Sequence, residues 1–334
     1  MITIERIEYH LPSCVITNDA LQRANPDWDV EKLADKAGVF TRHIARNGET
    51  AFDLASAACE KLLAADQALR DSIDGIVFCT QSPDYVMPSN AFLLHRHLNL
   101  RESVFAFDFN LACSGFVYGL AIAQGFIATA LAKNILLVTA DTYSKYIHPR
   151  DRSARMLFGD GAAACLITKT RSVGMIDVVL SSSGKDYGCF YIPAGGCRVP
   201  KSAATAVDEV DAGGNTRTAE TIHMNGFGVW KFIASTVPKQ ITDILARNSF
   251  STSAIDLYVF HQASKLTVNS LVKALKLDAG KVFNNIDRVG NLVSASIPVA
   301  LKDAESAGRL KRGDLVLLSG FGVGLSWATA ILRY

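Results

Sequence analysis

The chain has 334 residues, of which 49% are hydrophobic and 20% are charged, so it can bury a large core and intrinsic disorder is excluded. Its 34 Lys and Arg against 32 Asp and Glu leave a net charge of +2, which excludes general binding to nucleic acid through excess positive charge. A small basic patch for one phosphate-bearing ligand or one acidic protein remains compatible with this balance.

The first residues and the cysteines favour the cytoplasm. Residues 1–8 alternate apolar and polar side chains and already carry Glu5 and Arg6, which predicts a first β-strand rather than the apolar stretch of a signal peptide. The seven cysteines are odd in number, scattered singly and without a Cys-x-x-Cys pair. This usage is typical of reduced thiols in a cytosolic protein.

The stretch between Asp108 and Lys133 carries no charge and is long enough to cross a bilayer. It contains several polar residues and glycines, and helical periodicity begins only after residue 113. We therefore interpret it as the end of a strand followed by a fully buried helix, and predict no membrane association.

A repeat divides the chain into two similar halves. Residues 74–82 and 256–264 share the pattern Asp-x-x-Val-Phe-x-x-x-Ser, and the residues around Cys113 and Asn291 each open an apolar helix. An apolar strand and then a glycine-flanked strand follow in each half, at 134–141 and 158–167, and at 314–320 and 321–332. The offset is about 180 residues throughout, which is too long for a solenoid repeat. Strands alternating with long helices predict an α/β fold with both faces of each sheet covered.

We place the boundary between an N-terminal half, 1–170, and a C-terminal half, 171–334. Residues 184–220 are rich in Gly, Pro and small polar residues, which predicts a long surface excursion. Such a loop shapes the entrance of a binding site or is mobile without function, and the sequence leaves both readings open.

Three residues at corresponding ends of these elements are candidates for chemistry. Cys113 lies at a strand-to-helix junction, where the partial positive charge of a helix start favours the thiolate. His261 ends the strand that is the counterpart of 74–79, and Asn291 opens the counterpart of the Cys113 helix. A thiolate beside a His and an Asn donor suits acyl transfer through a thioester. Taken singly, each residue is more often an inert core, structural or turn residue.

Several ordered motifs resemble those of the 3-oxoacyl-[acyl-carrier-protein] synthase III family, over essentially the whole chain. They are Ala-Gly-Val-Phe-Thr-Arg-His-Ile-Ala at 37–45, Asn-Leu-Ala-Cys-Ser-Gly-Phe at 110–116, Phe-Gly-Asp-Gly-Ala-Ala at 158–163, His-Gln-Ala at 261–263, Gly-Asn at 290–291 and Gly-Phe-Gly-Val-Gly at 320–324. The resemblance implies a thiolase-like, five-layered αβαβα fold with internal duplication and a homodimer. The implied duplication agrees with the repeat of about 180 residues, which was found from the residues alone.

The resemblance also implies an acyltransferase mechanism. Cys113 would carry an acyl group, and His261 and Asn291 would bind the carbonyl oxygen of a malonyl thioester during decarboxylation, giving a β-ketoacyl thioester. Glycines at 320, 322 and 324 allow backbone N–H groups to approach an oxyanion. The predicted oxyanion donors are accordingly the backbone N–H groups of Cys113, Gly322, Val323 and Gly324. No metal or cofactor enters this scheme, and the substrates are thioesters of coenzyme A or acyl carrier protein.

Substrate-binding residues follow the family pattern less closely. The chain has Lys32 in place of the usual Trp against the adenine, Lys36 in place of a phosphate-binding Arg, and a matching Arg152. Phe227 replaces an Asn and Leu266 an Arg near the tunnel mouth. The predicted substrate-binding residues are Lys36, Met87, Arg152, Phe227, Lys231, Lys265 and Phe321. Met87 replaces an aromatic residue that limits the acyl pocket, so these departures predict a specialised member with another primer than acetyl-coenzyme A.

Alternative functions remain open at this stage. Cys113 could pass its acyl group to an alcohol or amine without decarboxylation, although relatives of that kind generally alter the His or Asn. The chain order Cys, His, Asn also occurs in papain-like proteases, but their local cysteine signature is absent here. A noncatalytic binding partner would lack the nucleophile, and Cys113 is present. Decarboxylative condensation is therefore the leading prediction.

Overall fold

A computed structural model describes residues 1–64, 66–170 and 174–334. The strands are β1 Ile2–His10, β2 Val15–Thr17, β3 Thr41–His43, β4 Gly75–Cys79, β5 Phe105–Phe109, β6 Asn134–Asp141, β7 Gly161–Lys169, β8 Met175–Ser182, β9 Phe190–Tyr191, β10 Glu209–Val210, β11 Thr216–Arg217, β12 His223–Met224, β13 Leu257–Phe260, β14 Leu315–Gly322 and β15 Ser326–Arg333. The helices are α1 Asn18–Ala24, α2 Val30–Ala37, α3 Ala51–Leu63, α4 Gln67–Asp71, α5 Asn90–His97, α6 Gly115–Ala128, α7 Arg152–Arg155, α8 Gly226–Arg247, α9 Lys265–Leu275, α10 Ile286–Val289 and α11 Ser296–Ser306.

Two large sheets have the same connectivity. The first has the strand order β1-β7-β6-β4-β5, and the second has the order β13-β14-β15-β8. In the first sheet β6 pairs parallel with β4 and antiparallel with β7. In the second, β14 pairs parallel with β13 and antiparallel with β15. The repeated strands identified in the sequence therefore occupy equivalent places in the two sheets.

Alternation along the central strands sends side chains to opposite faces of each sheet. In β4, Val77 packs into the central core between the sheets, whereas Ile76 and Phe78 pack into an outer core. In β14, Leu318 joins the central core, and Leu317 joins the outer core on the other side. Both faces of these strands are therefore buried, as uninterrupted apolar runs indicate.

The helices fill the spaces on both sides of the sheets and make five layers. Helices α6 and α11 contribute buried residues to the central core, between the two sheets. Helices α3 and α5 pack on the outer face of the first sheet, and α8 and α9 pack on the outer face of the second. This order of layers is αβαβα, the predicted architecture.

The uncharged stretch after Asp108 is the end of β5 followed by α6, with Phe116, Val117 and Leu120 buried in the central core. In the part of the chain that the structure describes, no helix combines the length and apolar character needed to cross a membrane. The predicted boundary after residue 170 falls at residues 171–173, which lie outside the described residues, and that boundary stays a prediction.

Candidate active site

Cys113 lies in the turn that joins β5 to α6, two residues before the helix begins, and is buried. The strand β14 passes directly against it. A Cβ built on Gly322 would be 2.9 Å from both Cβ and Sγ of Cys113, and one built on Gly320 would be 2.5 Å from the Cys113 carbonyl oxygen. Contacts this short exclude any side chain at these two positions, so the two glycines allow β14 to pack closely against Cys113. The predicted approach of their N–H groups to an oxyanion stays a prediction.

His261 continues the ladder of β13, because its backbone N–H donates to the Ser319 carbonyl oxygen in β14 at 2.8 Å. Its imidazole is 1% exposed and packs edge-on against Phe321, with ring centroids 5.8 Å apart. Nδ1 is buried and has no hydrogen-bond partner among the described residues. The ring is therefore held by packing.

Asn291 follows α10 and is fixed through its backbone. Its N–H donates to the Leu157 carbonyl oxygen at 2.9 Å, and its own carbonyl accepts from the Gly159 N–H at 3.0 Å. Its side-chain Oδ1 accepts from the Val293 N–H at 2.9 Å, and Nδ2 is 3.5 Å from the Ala263 carbonyl oxygen. Since Oδ1 is already occupied, the group that remains for a substrate is the Nδ2 donor.

One cavity of about 130 Å³, here the first cavity, brings Cys113, His261 and Asn291 together. Its other lining residues are Leu157, Phe158, Phe190, Met224, Gly226, Val229, Trp230, Ile233, Ala263, Ser264, Thr267, Phe321 and Gly322. The wall is mainly apolar, with a few polar groups that converge on it, which is the usual composition of a small-molecule site. The three residues selected from the repeat therefore share one site.

The protonation state of Cys113 differs from the expectation based on its place before a helix. Burial raises the pKa of the thiol, and the nearby Asp141 carboxylate raises it further. A helix start contributes only a modest stabilisation of an anion, whereas full burial disfavours the charged form much more strongly. The expectation of a resting thiolate is therefore wrong, and Cys113 is a thiol before substrate binds.

His261 is neutral for the same reason. Burial lowers the pKa of its imidazole to about 3, far below neutral pH. A neutral imidazole has one N–H donor and one acceptor nitrogen. His261 can therefore donate a hydrogen bond to a developing negative charge, and it is a weak base.

Asp141 is a residue that the sequence analysis did not select. It ends β6 and is fully buried, and it accepts hydrogen bonds from the Gln81 N–H at 2.8 Å and from Ser294 Oγ at 2.5 Å. Burial raises the pKa of Asp141 to about 7, although the hydrogen bonds from Ser294 and Gln81 oppose that rise. The carboxyl group ties the end of β4 to the turn before α11. A charged residue at the end of an apolar strand is the pattern that could have identified it.

The predicted oxyanion donors are only partly gathered around the first cavity. Cys113 and Gly322 line it, Val323 lines a neighbouring cavity, and Gly324 lines neither of the two. The turn is braced by Ser326 Oγ, which lies 2.7 Å from Ser114 Oγ and donates to the Val323 carbonyl oxygen at 2.8 Å. This pair links the residue after Cys113 to the turn after Gly322.

Most predicted substrate-binding residues lie outside the first cavity. Phe321 lines it, but Lys36, Lys231 and Lys265 are exposed surface residues, and Met87 is 79% exposed. Phe227 is also exposed and stacks on Trp230, with ring centroids 6.0 Å apart. Arg152 donates to the Gly213 carbonyl oxygen. Their roles stay predictions.

Trp230 lines the first cavity and was not predicted. Its indole Nε1–H is buried and has no partner among the described residues. The sequence contains no pattern that distinguishes it from a core tryptophan of an amphipathic helix.

A second cavity of about 280 Å³ lies beside the first. It is lined by Gln81, Asn110, Tyr143, Tyr146, Phe190, Tyr191, Ile192, Ile222 and Val323. Phe190 belongs to both cavities, and it comes from the excursion predicted at 184–220. The segment therefore contributes to the walls of both cavities, and its role at the entrance of a binding site stays a prediction.

The excursion is anchored by a buried ion pair. Arg217 Nε donates to Asp151 Oδ2 at 2.6 Å, and the side chains are 11% and 1% exposed. Arg217 Nη1 also donates to Asp211 at 2.9 Å.

All seven cysteines are free, and no group of three or more His, Cys, Asp or Glu side chains among the described residues is placed to hold a metal ion.

The chain matches two family models. Residues 107–184 match the model of 3-oxoacyl-[acyl-carrier-protein (ACP)] synthase III, and residues 245–334 match the model of its C-terminal part. It is 34% identical to the beta-ketoacyl-[acyl-carrier-protein] synthase III of Caldanaerobacter subterraneus subsp. tengcongensis, covering 97% of this chain and 95% of the relative. It is 36% identical to the enzyme of that name from Clostridioides difficile, covering 92% and 91%.

A solved structure described as a 3-oxoacyl-(acyl-carrier-protein) synthase III superposes with a TM-score of 0.97 at 40% identity, covering all of this chain and 99% of the other. The chain belongs to the 3-oxoacyl-[acyl-carrier-protein] synthase III family. It is accordingly an acyltransferase of the decarboxylating, condensing type on a thiolase-like α/β fold. The family, fold class and reaction type predicted from the sequence are thereby confirmed.

Proposed function

We propose that Cys113, His261 and Asn291 carry out a decarboxylative condensation between a Cys113-bound acyl group and a malonyl thioester. The observation that carries this proposal is that the first cavity holds all three side chains, with Gly322 directly against Sγ of Cys113. The nucleophile comes from the first half of the chain and both donors come from the second.

In the first step Sγ of Cys113 attacks the carbonyl carbon of an acyl thioester. The new S–C bond replaces the bond to the carrier sulfur, and the thiol proton of Cys113 leaves with the departing carrier thiol. Because Cys113 is a thiol at rest, its proton must move during the attack rather than before it. The backbone N–H groups of Cys113 and Gly322 are the proposed donors to the tetrahedral oxyanion.

In the second step the malonyl thioester loses carbon dioxide, and the electron pair of the broken C–C bond forms an enolate. The neutral imidazole of His261 and Nδ2 of Asn291 are the proposed donors to its oxygen. Donors preorganised for a charge that develops in the transition state contribute strongly in an apolar cavity. With its pKa lowered, the ring of His261 is neutral at neutral pH and still carries one N–H, which can donate to this oxygen.

In the third step the enolate carbon attacks the acyl carbonyl on Cys113. A C–C bond forms, the thioester to Cys113 breaks, and the thiolate takes a proton from solvent to restore the thiol. The product is a β-ketoacyl thioester on the carrier that brought the malonyl group. None of these steps requires a redox change, so the scheme uses no resident cofactor.

The proposed substrates are thioesters of coenzyme A and of acyl carrier protein, and the proposed location is the cytoplasm. The proposed contacts for the carriers are the exposed Lys36, Phe227, Lys231 and Lys265 and the half-buried Arg152. A homodimer is proposed from the family resemblance and from the apolar Val86 and Met87, which are 98% and 79% exposed.

The test is intact-protein mass spectrometry after incubation with acyl thioesters, with and without a malonyl thioester. The expected result is an acyl mass increment that maps to Cys113 and disappears with malonyl thioester as carbon dioxide and a β-ketoacyl product form. Cys113→Ala should show no increment, and Cys14→Ala, which removes a thiol outside both cavities, should behave as the wild type. An increment that resists malonyl thioester but discharges to an alcohol or amine would establish the non-decarboxylating alternative.

A further inference from the structure

The second cavity contains a row of polar side chains beside its apolar wall. Tyr143 donates its hydroxyl hydrogen to Gln81 Oε1, and Gln81 Nε2 donates to Asn110 Oδ1 at 2.7 Å. Phe190, Ile222 and Val323 provide apolar surface opposite these groups. The cavity is therefore suited to a ligand with both a carbon chain and a polar group.

Two hydrogen-bond donors on this row are unused. Asn110 Nδ2 and the Tyr146 hydroxyl make no hydrogen bond to any of the described residues, although both side chains line the cavity. Burial raises the pKa of Tyr146, so its hydroxyl keeps its proton and remains a donor at neutral pH. Both free groups can bind an oxygen acceptor.

The charges around the second cavity disfavour an anionic ligand. None of the nine residues that line the second cavity is Lys, Arg, Asp or Glu. The carboxylates that act on Tyr146 are Asp141 and Asp84, both of which raise its pKa. A carboxylate ligand would meet no compensating cation among the residues that line the cavity, so the favoured ligand is neutral.

The second cavity adjoins the surroundings of Cys113. Phe190 lines both cavities, and Tyr143, Phe158 and Phe190 belong to the same buried cluster as Cys113. Tyr146 and Val323 pack against that cluster, and Asn110 precedes Cys113 by three residues. An acyl chain attached to Sγ would reach these donors by passing Phe190, the side chain that lines both cavities.

We propose that the second cavity selects a short, neutral acyl group with its own oxygen acceptor, of the hydroxyacyl class, and that Asn110 and Tyr146 bind that oxygen. This inference rests on the proposed function, because the acyl group must be carried by Cys113. It names the primer class that the family resemblance left undefined. A site with donors for a substrate hydroxyl discriminates strongly against the analogue that lacks it.

The test compares initial rates of Cys113 acylation by butyryl, 3-hydroxybutyryl, 4-hydroxybutyryl and succinyl thioesters, each on coenzyme A and on acyl carrier protein. Both enantiomers of the 3-hydroxy compound are included. The best hydroxyacyl donor should react at least about tenfold faster than butyryl, with succinyl slowest. A butyryl or succinyl rate equal to or above that of every hydroxyacyl donor would overturn the proposal.

Two variants test the donors themselves. Tyr146→Phe removes only a hydroxyl, and Asn110→Asp keeps an acceptor for Gln81 while removing the free donor. Each should reduce the preference for hydroxyacyl over butyryl, measured as the ratio of the two acylation rates within the same variant, about fivefold. Tyr187→Phe is the matched control, since Tyr187 is exposed and lies outside the cavity. An unchanged preference in both variants contradicts the proposal.

The same data separate this proposal from the proposed function. Acylation of Cys113 by plain and hydroxylated chains at similar rates would reject the hydroxyacyl preference and leave the condensing mechanism standing. Absence of acylation by every donor would reject the role of Cys113, and with it both proposals.

Discussion

Gly322 lies against the side chain of Cys113 so closely that a Cβ built on Gly322 would be 2.9 Å from Sγ. Cys113, the proposed nucleophile, belongs to the first half of the chain, whereas Gly322 ends β14 in the second sheet. The contact therefore connects the reactive sulfur to the opposite half of the molecule.

Gly322→Ala is expected to lower the rate of Cys113 acylation at least about 100-fold. An added methyl group displaces the sulfur or the strand, and a displacement of this size at a reacting atom has effects of that magnitude. Stopped incubations followed by mass spectrometry measure the rate. Gly125→Ala is the matched control, because a Cβ there meets no atom within 4 Å; it should leave acylation unchanged. Acylation of the Gly322 variant at the wild-type rate would show that the contact between Gly322 and Cys113 is unimportant.

His261→Ala and Asn291→Ala are expected to separate the two half-reactions. Each should retain acylation of Cys113 and lower carbon dioxide release from the malonyl thioester about 100-fold to 1,000-fold, the usual effect of removing an oxyanion donor. His97→Ala, on the surface and outside both cavities, provides the control. Wild-type carbon dioxide release in either cavity variant would refute the assigned role of that residue.

Asp141 predicts a dependence of stability on pH. Its folded-state pKa, about 7, lies above the ordinary value of an aspartate, so between about pH 4 and pH 7 the folded chain binds more protons than the unfolded chain. Stability therefore falls as pH rises through this range, by a few kcal/mol at most. Asp141→Asn removes this titration, so the free energy of unfolding of the variant relative to wild type should increase from pH 4 to pH 7. Urea unfolding of both proteins at several pH values measures this free energy. A difference between variant and wild type that does not change with pH would contradict the prediction.

Arg217→Ala is expected to destabilise the protein by about 3 kcal/mol, because it leaves the buried carboxylate of Asp151 without its cation. The excursion at 184–220 should also become more sensitive to limited proteolysis. Lys239→Ala breaks an exposed pair with Asp243 and should change stability by less than about 1 kcal/mol. Equal effects of the two variants would show that burial of the Arg217 pair is unimportant.

The layers and the three central residues could be predicted from the sequence because both depend on periodicity and chain order. Strands β4 and β13 follow the same apolar pattern, and equivalent strands of a duplicated fold end at equivalent places. His261 directly follows β13, and Cys113 and Asn291 precede α6 and α11, the equivalent helices of the two halves, so the shared chain order brings the three residues together.

The protonation states and the remaining walls of the cavities could not be predicted in this way. The pKa of Cys113 depends on burial by segments far away in the chain and on the Asp141 carboxylate. Phe190 and Trp230 reach the site through the packing of an irregular excursion and of helix α8. Local sequence patterns contain no information on such long-range contacts.

Helices α6 and α11 hold the two sheets apart, and the reaction depends on the spacing they set. Cys113 precedes α6, Asn291 precedes the turn that opens α11, and both helices bury residues such as Leu120 and Ile297 in the central core. The middle layer of helices thus sets the distance between Cys113 and the two proposed donors, His261 and Asn291. Enlarging or truncating a side chain there is expected to alter the alignment of the reacting atoms, so substitutions in the core remote from both cavities should change the catalytic rate as well as stability.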